Sequence, residues 1–298
     1  MAEILQKDGN WTFDGDALRL TPGRDRNVSV LRRTLGELLV PLRALAGVSF
    51  EQGKRAGRLR LRLRDGADPL LHATGGRLTE PHDPYQLLVE PERYGVAEYF
   101  VEEVRGALLL EEVPSGPVTE YLLPGPSVPL SVSAGDGTAN FDGERVRLEW
   151  NWKTEDTKAE AGTRTLALAD ITGVEWLPAA GLENGHLRLA VRGVSSSTPP
   201  KYDPNAVELW GFKKDPLMAL VAAAVQARLP HPSAPALTDG PEEPAGPAGP
   251  AGWAAAPPAE DEHDALLRRL RELGELHREG VLTDEEFTRA KQAVLKRM

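Results

Sequence analysis

The chain contains one segment written twice. Phe13-Asp14-Gly15 returns as Phe141-Asp142-Gly143, 128 residues later. The residues after each copy match as well. Ala17-Leu18-Arg19-Leu20 answers Arg145-Val146-Arg147-Leu148, and Leu45-Ala46-Gly47-Val48 answers Ile171-Thr172-Gly173-Val174. Gly57-Arg58-Leu59-Arg60-Leu61 answers Gly185-His186-Leu187-Arg188-Leu189, and Asp83-Pro84 answers Asp203-Pro204. A segment that recurs at near-constant spacing folds as a repeated unit. Two copies of one domain, differing in their loops, are therefore the first constraint on this chain.

The 298 residues have room for two such copies and more. The pattern divides the chain into repeat 1 (1–112), a linker (113–129), repeat 2 (130–230), a Pro/Ala/Gly-rich disordered linker (231–259) and a helical hairpin (260–298). Within repeat 1, Trp11-Thr12-Phe13 and Leu18-Arg19-Leu20 alternate on either side of Asp14-Gly15 and predict a β-hairpin. Val28-Ser29-Val30 predicts a third strand and Leu38–Leu42 a fourth. Leu42, Leu45 and Val48 step by three, which predicts a short helical turn before the strand Val48-Ser49-Phe50. Residues 67–84 predict a long loop, Tyr85–Val89 a last strand, and Val96, Phe100, Val104 and Leu108 an amphipathic helix opened by Pro91. Repeat 2 follows the same plan, with its closing helix carried by Leu217, Val221, Val225 and Leu229 and stopped by Pro230. In the linker, Tyr121-Leu122-Leu123 is the one apolar cluster and is expected to pack on a neighbouring surface.

Composition narrows the chemistry. There is no cysteine, so disulfides, thiolate zinc sites and cysteine nucleophiles are excluded. The N-terminal residues lack a basic region followed by an apolar core, which reads as no signal peptide. The longest apolar run, Leu217–Val225, is nine residues and too short to span a bilayer. The expected location is the cytoplasm, with association to a membrane surface as a further option. Residues 231–298 hold 8 Lys and Arg against 13 Asp and Glu, half of the net charge of −10. That balance argues against nucleic acid as a partner, because phosphate neutralisation drives such binding. None of the six histidines forms a pair at metal-ligand spacing, and no HExxH, GxSxG or phosphate-loop motif is present. The reading is a protein that is not an enzyme and has no metal and no cofactor. His186 stands where repeat 1 has Arg58, which predicts a surface position.

Three stretches stand out against that background. Arg58, Arg60, Arg62 and Arg64 alternate with leucines, so a strand would place the leucines inward and all four arginines on the other face. Spaced about 6 to 7 Å apart, they form a candidate anionic-ligand face for lipid phosphates or an acidic partner. The competing reading is a solvated face paired with neighbouring glutamates. Trp150 and Trp152 share one face of a strand, either as a binding platform or, as favoured here, in core or inter-repeat packing. In the tail, Leu266, Leu270, Leu273, Leu282, Phe287 and Val294 recur at helical spacing, and Thr283-Asp284-Glu285-Glu286 forms a capping box. Two short helices bury little area alone, so this apolar face is a candidate association face for a protein partner or a second copy of the chain.

The tail run Gly280-Val281-Leu282-Thr283-Asp284-Glu285-Glu286-Phe287, with Lys291 after it, resembles the SHOCT (short C-terminal) domain. That resemblance implies an oligomerisation or docking role. The repeats are similar to an actinobacterial tandem domain-of-unknown-function family with PH-like (pleckstrin-homology-like) repeats. The matching positions are Val40-Pro41-Leu42, Leu45 and Val48 in repeat 1, and Leu166, Leu168, Ile171 and Val174 in repeat 2. Neither family brings a catalytic residue. The expected fold is mainly β (α+β): two tandem PH-like β-barrel or sandwich domains, each capped by a C-terminal helix, then a disordered linker and a C-terminal helical hairpin. The expected function is a non-enzymatic interaction or scaffold protein. The alternative is a module that binds anionic membrane surfaces through the basic strand of repeat 1.

Overall fold

The computed structural model describes residues 1–194 and 198–234. The expected tether and helical hairpin, with Leu266, Leu270, Leu273, Leu282, Phe287 and Val294, lie outside the described residues. The described part is mainly β and antiparallel throughout. Repeat 1 opens with β1 (Ala2–Leu5), β2 (Gly9–Phe13) and β3 (Ala17–Pro22). A short helix α1 (Val30–Leu35) then leads to β4 (Leu38–Pro41), and these strands form one sheet in the order β1-β2-β3-β4. A 3-10 turn, Leu42–Ala44, passes the chain to a second sheet of β5 (Leu45–Glu51), β6 (Gly57–Leu63) and β7 (Gln86–Val89). Helix α2 (Pro69–Thr74) lies between β6 and β7, and α3 (Tyr94–Leu110) closes the repeat.

Repeat 2 restates this plan. The strands β8 (Leu130–Ala134), β9 (Gly137–Phe141), β10 (Arg145–Trp150) and β11 (Arg164–Ala167) form its four-stranded sheet, with helix α4 (Asp156–Ala161) before β11. The strands β12 (Ile171–Leu177), β13 (Gly185–Val191) and β14 (Ala206–Leu209) form its three-stranded sheet, and α5 (Met218–Gln226) closes it. In each repeat the two sheets stay separate, so the architecture among the described residues is a pair of sheets rather than a closed barrel.

The local chemistry of the duplication explains the match. Asp14 Oδ1 accepts the amide N–H groups of Asp16 and Ala17, and Asp142 Oδ1 accepts those of Glu144 and Arg145. Both aspartates therefore close the same Asx turn. Gly15 and Gly143, at φ +116° and +109°, supply backbone that other residues rarely adopt. A second shared device was not legible as a motif. Asp8, in the β1–β2 turn, takes two bonds from Arg32 Nη1 at 2.9 and 3.0 Å and the Leu88 N–H at 3.1 Å. Asp136, in the β8–β9 turn, takes Lys158 Nζ at 2.6 Å and the Glu208 N–H at 2.8 Å. In both repeats one carboxylate thus ties the first turn to the short helix and to the last strand. Burial raises the Asp136 carboxyl above its usual range, and the Lys158 charge works against that rise.

The structure corrects several expectations. Val28-Ser29-Val30 is not a strand: Ser29 caps α1, its Oγ accepting the Leu31 N–H at 3.2 Å. Residues 67–84 are not one long loop, because Asp68 caps α2 by accepting the N–H groups of Leu70 and Leu71, with Pro69 at the first helical position. The buried Tyr85 hydroxyl donates to the same carboxylate at 2.8 Å. The last strand of repeat 2 ends at Leu209, since Asp215 Oδ2 takes the N–H groups of Trp210, Gly211 and Phe212 and turns the chain.

Both repeats belong to one compact unit. Two apolar clusters run through it. The first fills repeat 1 with Trp11, Phe13, Leu59, Leu87, Phe100 and Val104, and it takes in Val118 and Leu123 from the linker. The N–H groups of Leu122 and Leu123 both donate to the Ala67 carbonyl, so Tyr121-Leu122-Leu123 does pack on a neighbouring surface. The second cluster fills repeat 2 and crosses the boundary: Leu31, Leu70, Ala73 and Leu78 of repeat 1 are part of it. Helix α5 is consequently buried on every side, Met218 to Gln226, rather than along one stripe. A helix apolar all round is a core helix, and α2 of repeat 1 supplies one of its walls.

Candidate functional site

The arginine strand is β6. Its burial alternates strictly, with Leu59, Leu61 and Leu63 inside and Arg58, Arg60 and Arg62 outside. Each of the four guanidinium groups makes at least one hydrogen bond within the chain. Arg58 Nε donates to Glu80 Oε2 at 3.2 Å, and Arg60 Nε donates to Gln86 Oε1 at 3.0 Å. Arg64 donates to the carbonyls of Gly116, Arg43 and Pro117, which pins the linker to the strand end. Arg62 has one long bond, 3.5 Å, to the Ala46 carbonyl. Arg60 and Arg62 line a shallow groove of about 500 Å³ with Ser49, Leu71, Asp83 and Tyr85. Arg58, Arg60 and Arg62 lie in the strand and Arg64 just past its end; Arg64 is directed to the linker and Arg58 to the loop that carries Glu80.

The corresponding strand β13 has changed character. His186 is buried, 8% exposed, and not on the surface as expected. Its Nε2 lies 3.5 Å from Glu175 Oε2, and burial holds the imidazole below its ordinary pKa. Arg188 pairs with Asp203 at 3.1 Å, both side chains nearly buried.

The second region is the junction of the repeats. Tyr121 Oη lies 2.6 Å from His72 Nδ1 on α2 and accepts from Gln226 Nε2 on α5 at 2.8 Å. His231 packs edge-on against the Tyr121 ring and lies 3.0 Å from the Gly66 carbonyl. Burial, then the neighbouring His231, lowers the pKa of His72. Tyr121 is thus the polar pin through linker, α2 and α5.

The third region was not singled out as a unit by sequence. Trp152 is 88% exposed, beyond the end of β10, and is therefore not in the core. Trp150, its expected partner, is half-buried and donates Nε1 to the Gly162 carbonyl at 2.8 Å. Trp152 is joined instead, through Lys153, to Trp210 and Phe212, 58 and 60 positions away. Lys153 Nζ lies 5.2 to 5.5 Å from the ring centroids of Trp152, Trp210 and Phe212. Trp210 and Phe212 meet edge-to-face at 6.0 Å, and Phe212 is 58% exposed. The three Asp215 bonds to residues 210–212 hold that half of the cluster in place. The available signal was Trp210 and Phe212 at the end of a strand, a pairing across the fold that no local pattern announces.

Among the described residues, no group of three or more His, Asp or Glu side chains is arranged to hold a metal ion. No described helix is long and apolar enough to cross a membrane.

Comparison with known proteins agrees with the duplication. Residues 11–105 and 139–226 each match the family model described as domain of unknown function DUF4429. Residues 268–295 match the short C-terminal domain, SHOCT. No curated protein matches the chain.

Proposed function

We propose, for a chain that belongs to the DUF4429 family in tandem form with a C-terminal SHOCT domain, a non-enzymatic role as an interaction scaffold. The observation that carries this reading is the aromatic cluster around Lys153. The fold buries Trp11 and Trp176 almost completely yet leaves Trp152 in water beside Phe212. Aromatic side chains with an adjacent cation are the residues that dominate protein-binding energy. Each repeat, a four-stranded sheet followed by a three-stranded sheet and a closing helix, supports the PH-like reading. The common core makes the two repeats one body that presents the patch at a fixed orientation. The tail supplies self-association or docking through Leu266, Leu270, Leu273, Leu282, Phe287 and Val294. The arginine strand supports an anionic-membrane reading less well, since Arg58, Arg60 and Arg64 already have partners within the chain.

Light scattering on the full chain tests the part of this role assigned to the tail. The expected mass is a multiple of the 32.4 kDa monomer, returning to monomer in a Leu270→Asp/Phe287→Asp variant and unchanged in Trp152→Ala. A full chain that is monomeric at every concentration would remove the scaffold role from the tail.

A further inference from the structure

Between the repeats lies a cavity of about 410 Å³ that belongs to neither copy alone. Repeat 1 contributes the loop before α1 and the segment after α2; repeat 2 contributes the end of β12 and the β14–α5 turn. Its size falls within the range of small-molecule sites. The deep wall is apolar, formed by the buried side chains of Val28, Leu78, Trp176 and Leu209. The edge carries Arg26, Arg77 and Lys213, all exposed. None of these three cations has a side-chain hydrogen bond or ion-pair partner among the described residues.

The acidic groups of the lining are different. Glu80 Oε2 already receives Arg58 Nε at 3.2 Å and Gln86 Nε2 at 2.9 Å. Asp215 Oδ2 receives three backbone N–H groups at 2.8 to 3.0 Å. The edge cations are therefore without an ion pair, while both carboxylates of the lining are held by the chain itself.

We infer that this inter-repeat cavity is a binding site for an anionic amphiphile, with the apolar body against Val28, Leu78 and Leu209 and the acidic head at Arg26, Arg77 and Lys213. A free phosphate or carboxylate would engage the edge but leave the apolar wall without a partner. A purely apolar ligand would leave the three cations unused. The site is a product of the duplication, because its walls come together only when the two repeats pack on one another.

The test is calorimetric titration of the full chain with decanoate below its micelle concentration, beside decylammonium and inorganic phosphate. Decanoate is expected to saturate one site per chain, and the other two are expected to show no saturable binding. Arg77→Glu/Lys213→Glu alters only exposed positions and is expected to weaken decanoate about tenfold or more by reversing the charge at the edge. Leu78→Trp fills the wall and is expected to abolish binding, with circular dichroism as the check on folding. Vesicles of phosphatidylglycerol identify the source of the head group: capture that the double reversal abolishes assigns a membrane lipid, and decanoate binding without capture assigns a free amphiphile. Equal binding of decylammonium, phosphate binding as tight as decanoate, or decanoate binding unchanged by the charge reversal would each overturn the proposal. So would the absence of both decanoate and vesicle binding.

Discussion

The two repeats share a framework and differ in what they turn outward. Each uses an aspartate in its first turn to hold a cation of the following helix and an N–H of its last strand. In repeat 1 the pair is Asp8–Arg32, with side chains 19% and 6% exposed; in repeat 2 it is Asp136–Lys158, at 2% and 0%. The closing helices diverge further. Helix α3 keeps an outward face with Glu98, Tyr99, Glu102 and Glu103, while α5 has none. Helix α2 has no counterpart among the described residues of repeat 2, and it supplies the wall of α5 that comes from repeat 1. The polar framework was thus retained in both copies, while the outer surfaces specialised. Repeat 1 supplies the docking helix and repeat 2 receives it.

The largest effect should follow from breaking the deeper of the two ion pairs. Lys158→Met leaves the buried Asp136 carboxyl without its cation, and losing one member of a buried pair costs about 3–5 kcal/mol. Arg32→Met should cost less, because Asp8 is the more exposed carboxylate and retains some water. Urea denaturation of both variants measures the difference. Equal losses would mean that the two pairs, despite their different burial, contribute alike.

The closing helices give the next contrast. Leu220→Ala in α5 removes a side chain 1% exposed and should cost about 2–5 kcal/mol. Glu102→Ala on the outer face of α3 should stay within about 0.5 kcal/mol of the parent. If α5 belongs to a core shared by both repeats, Leu220→Ala should lower one cooperative transition rather than split off repeat 2. Two separated transitions in the parent protein would sink the shared-core reading.

Much of this architecture was legible because it is periodic. The alternation of Arg58–Arg64 placed β6 and its two faces, and the spacing of Phe100 and Val104 placed α3. Elements of six residues were not legible by period. Helices α1, α2 and α4 complete fewer than two turns, so no 3.6-residue pattern can accumulate. Their caps were visible instead: Ser29 before Val30, and Asp68 before Pro69. The candidate sites were less legible still. Trp152 and Phe212, or Leu78 and Trp176, become neighbours only through packing of distant segments, and a linear pattern contains no term for that. The exposure of Trp152 and the burial of His186 were both misread for one reason. Alternation assigns a residue to a face but does not say whether the strand continues or what covers the face. Strand β10 ends at Trp150, and the face of β13 is covered at His186.

A smaller contrast sits on the matching strands β6 and β13. Arg60 and Arg188 occupy equivalent positions. Arg188 pairs with the nearly buried Asp203, whereas Arg60 is exposed and bonds to Gln86. Arg188→Ala should therefore cost about 1–3 kcal/mol, as for a buried hydrogen-bonded group left without its partner. Arg60→Ala should stay below about 1 kcal/mol. Paired thermal unfolding of the two variants reads the gap, and a reversed order would contradict the assignment of β13 as the more internal strand.

The smallest and most distributed difference is in pH dependence. Burial lowers the folded-state pKa of His72 and His82 in repeat 1 and of His186 in repeat 2. An unfolded histidine titrates near about 6.5. As pH falls through that value, the unfolded chain takes up protons that the folded chain does not. Stability from these groups is therefore complete above the unfolded value and is lost as the solution is acidified. The buried carboxyls Asp68, Asp83 and Asp136 are raised and work in the opposite sense: the folded chain protonates them first, which offsets the loss further into acid. Repeat 1 holds two of the three lowered histidines, and His72 sits in the pin through Tyr121 to α5. His72→Gln/His82→Gln should accordingly flatten the fall in urea midpoint between pH 7.5 and 5.5 more than His186→Gln does. An unchanged slope in the double variant, with the parent still losing stability over that interval, would move the acid sensitivity from the repeat junction to groups elsewhere in the chain.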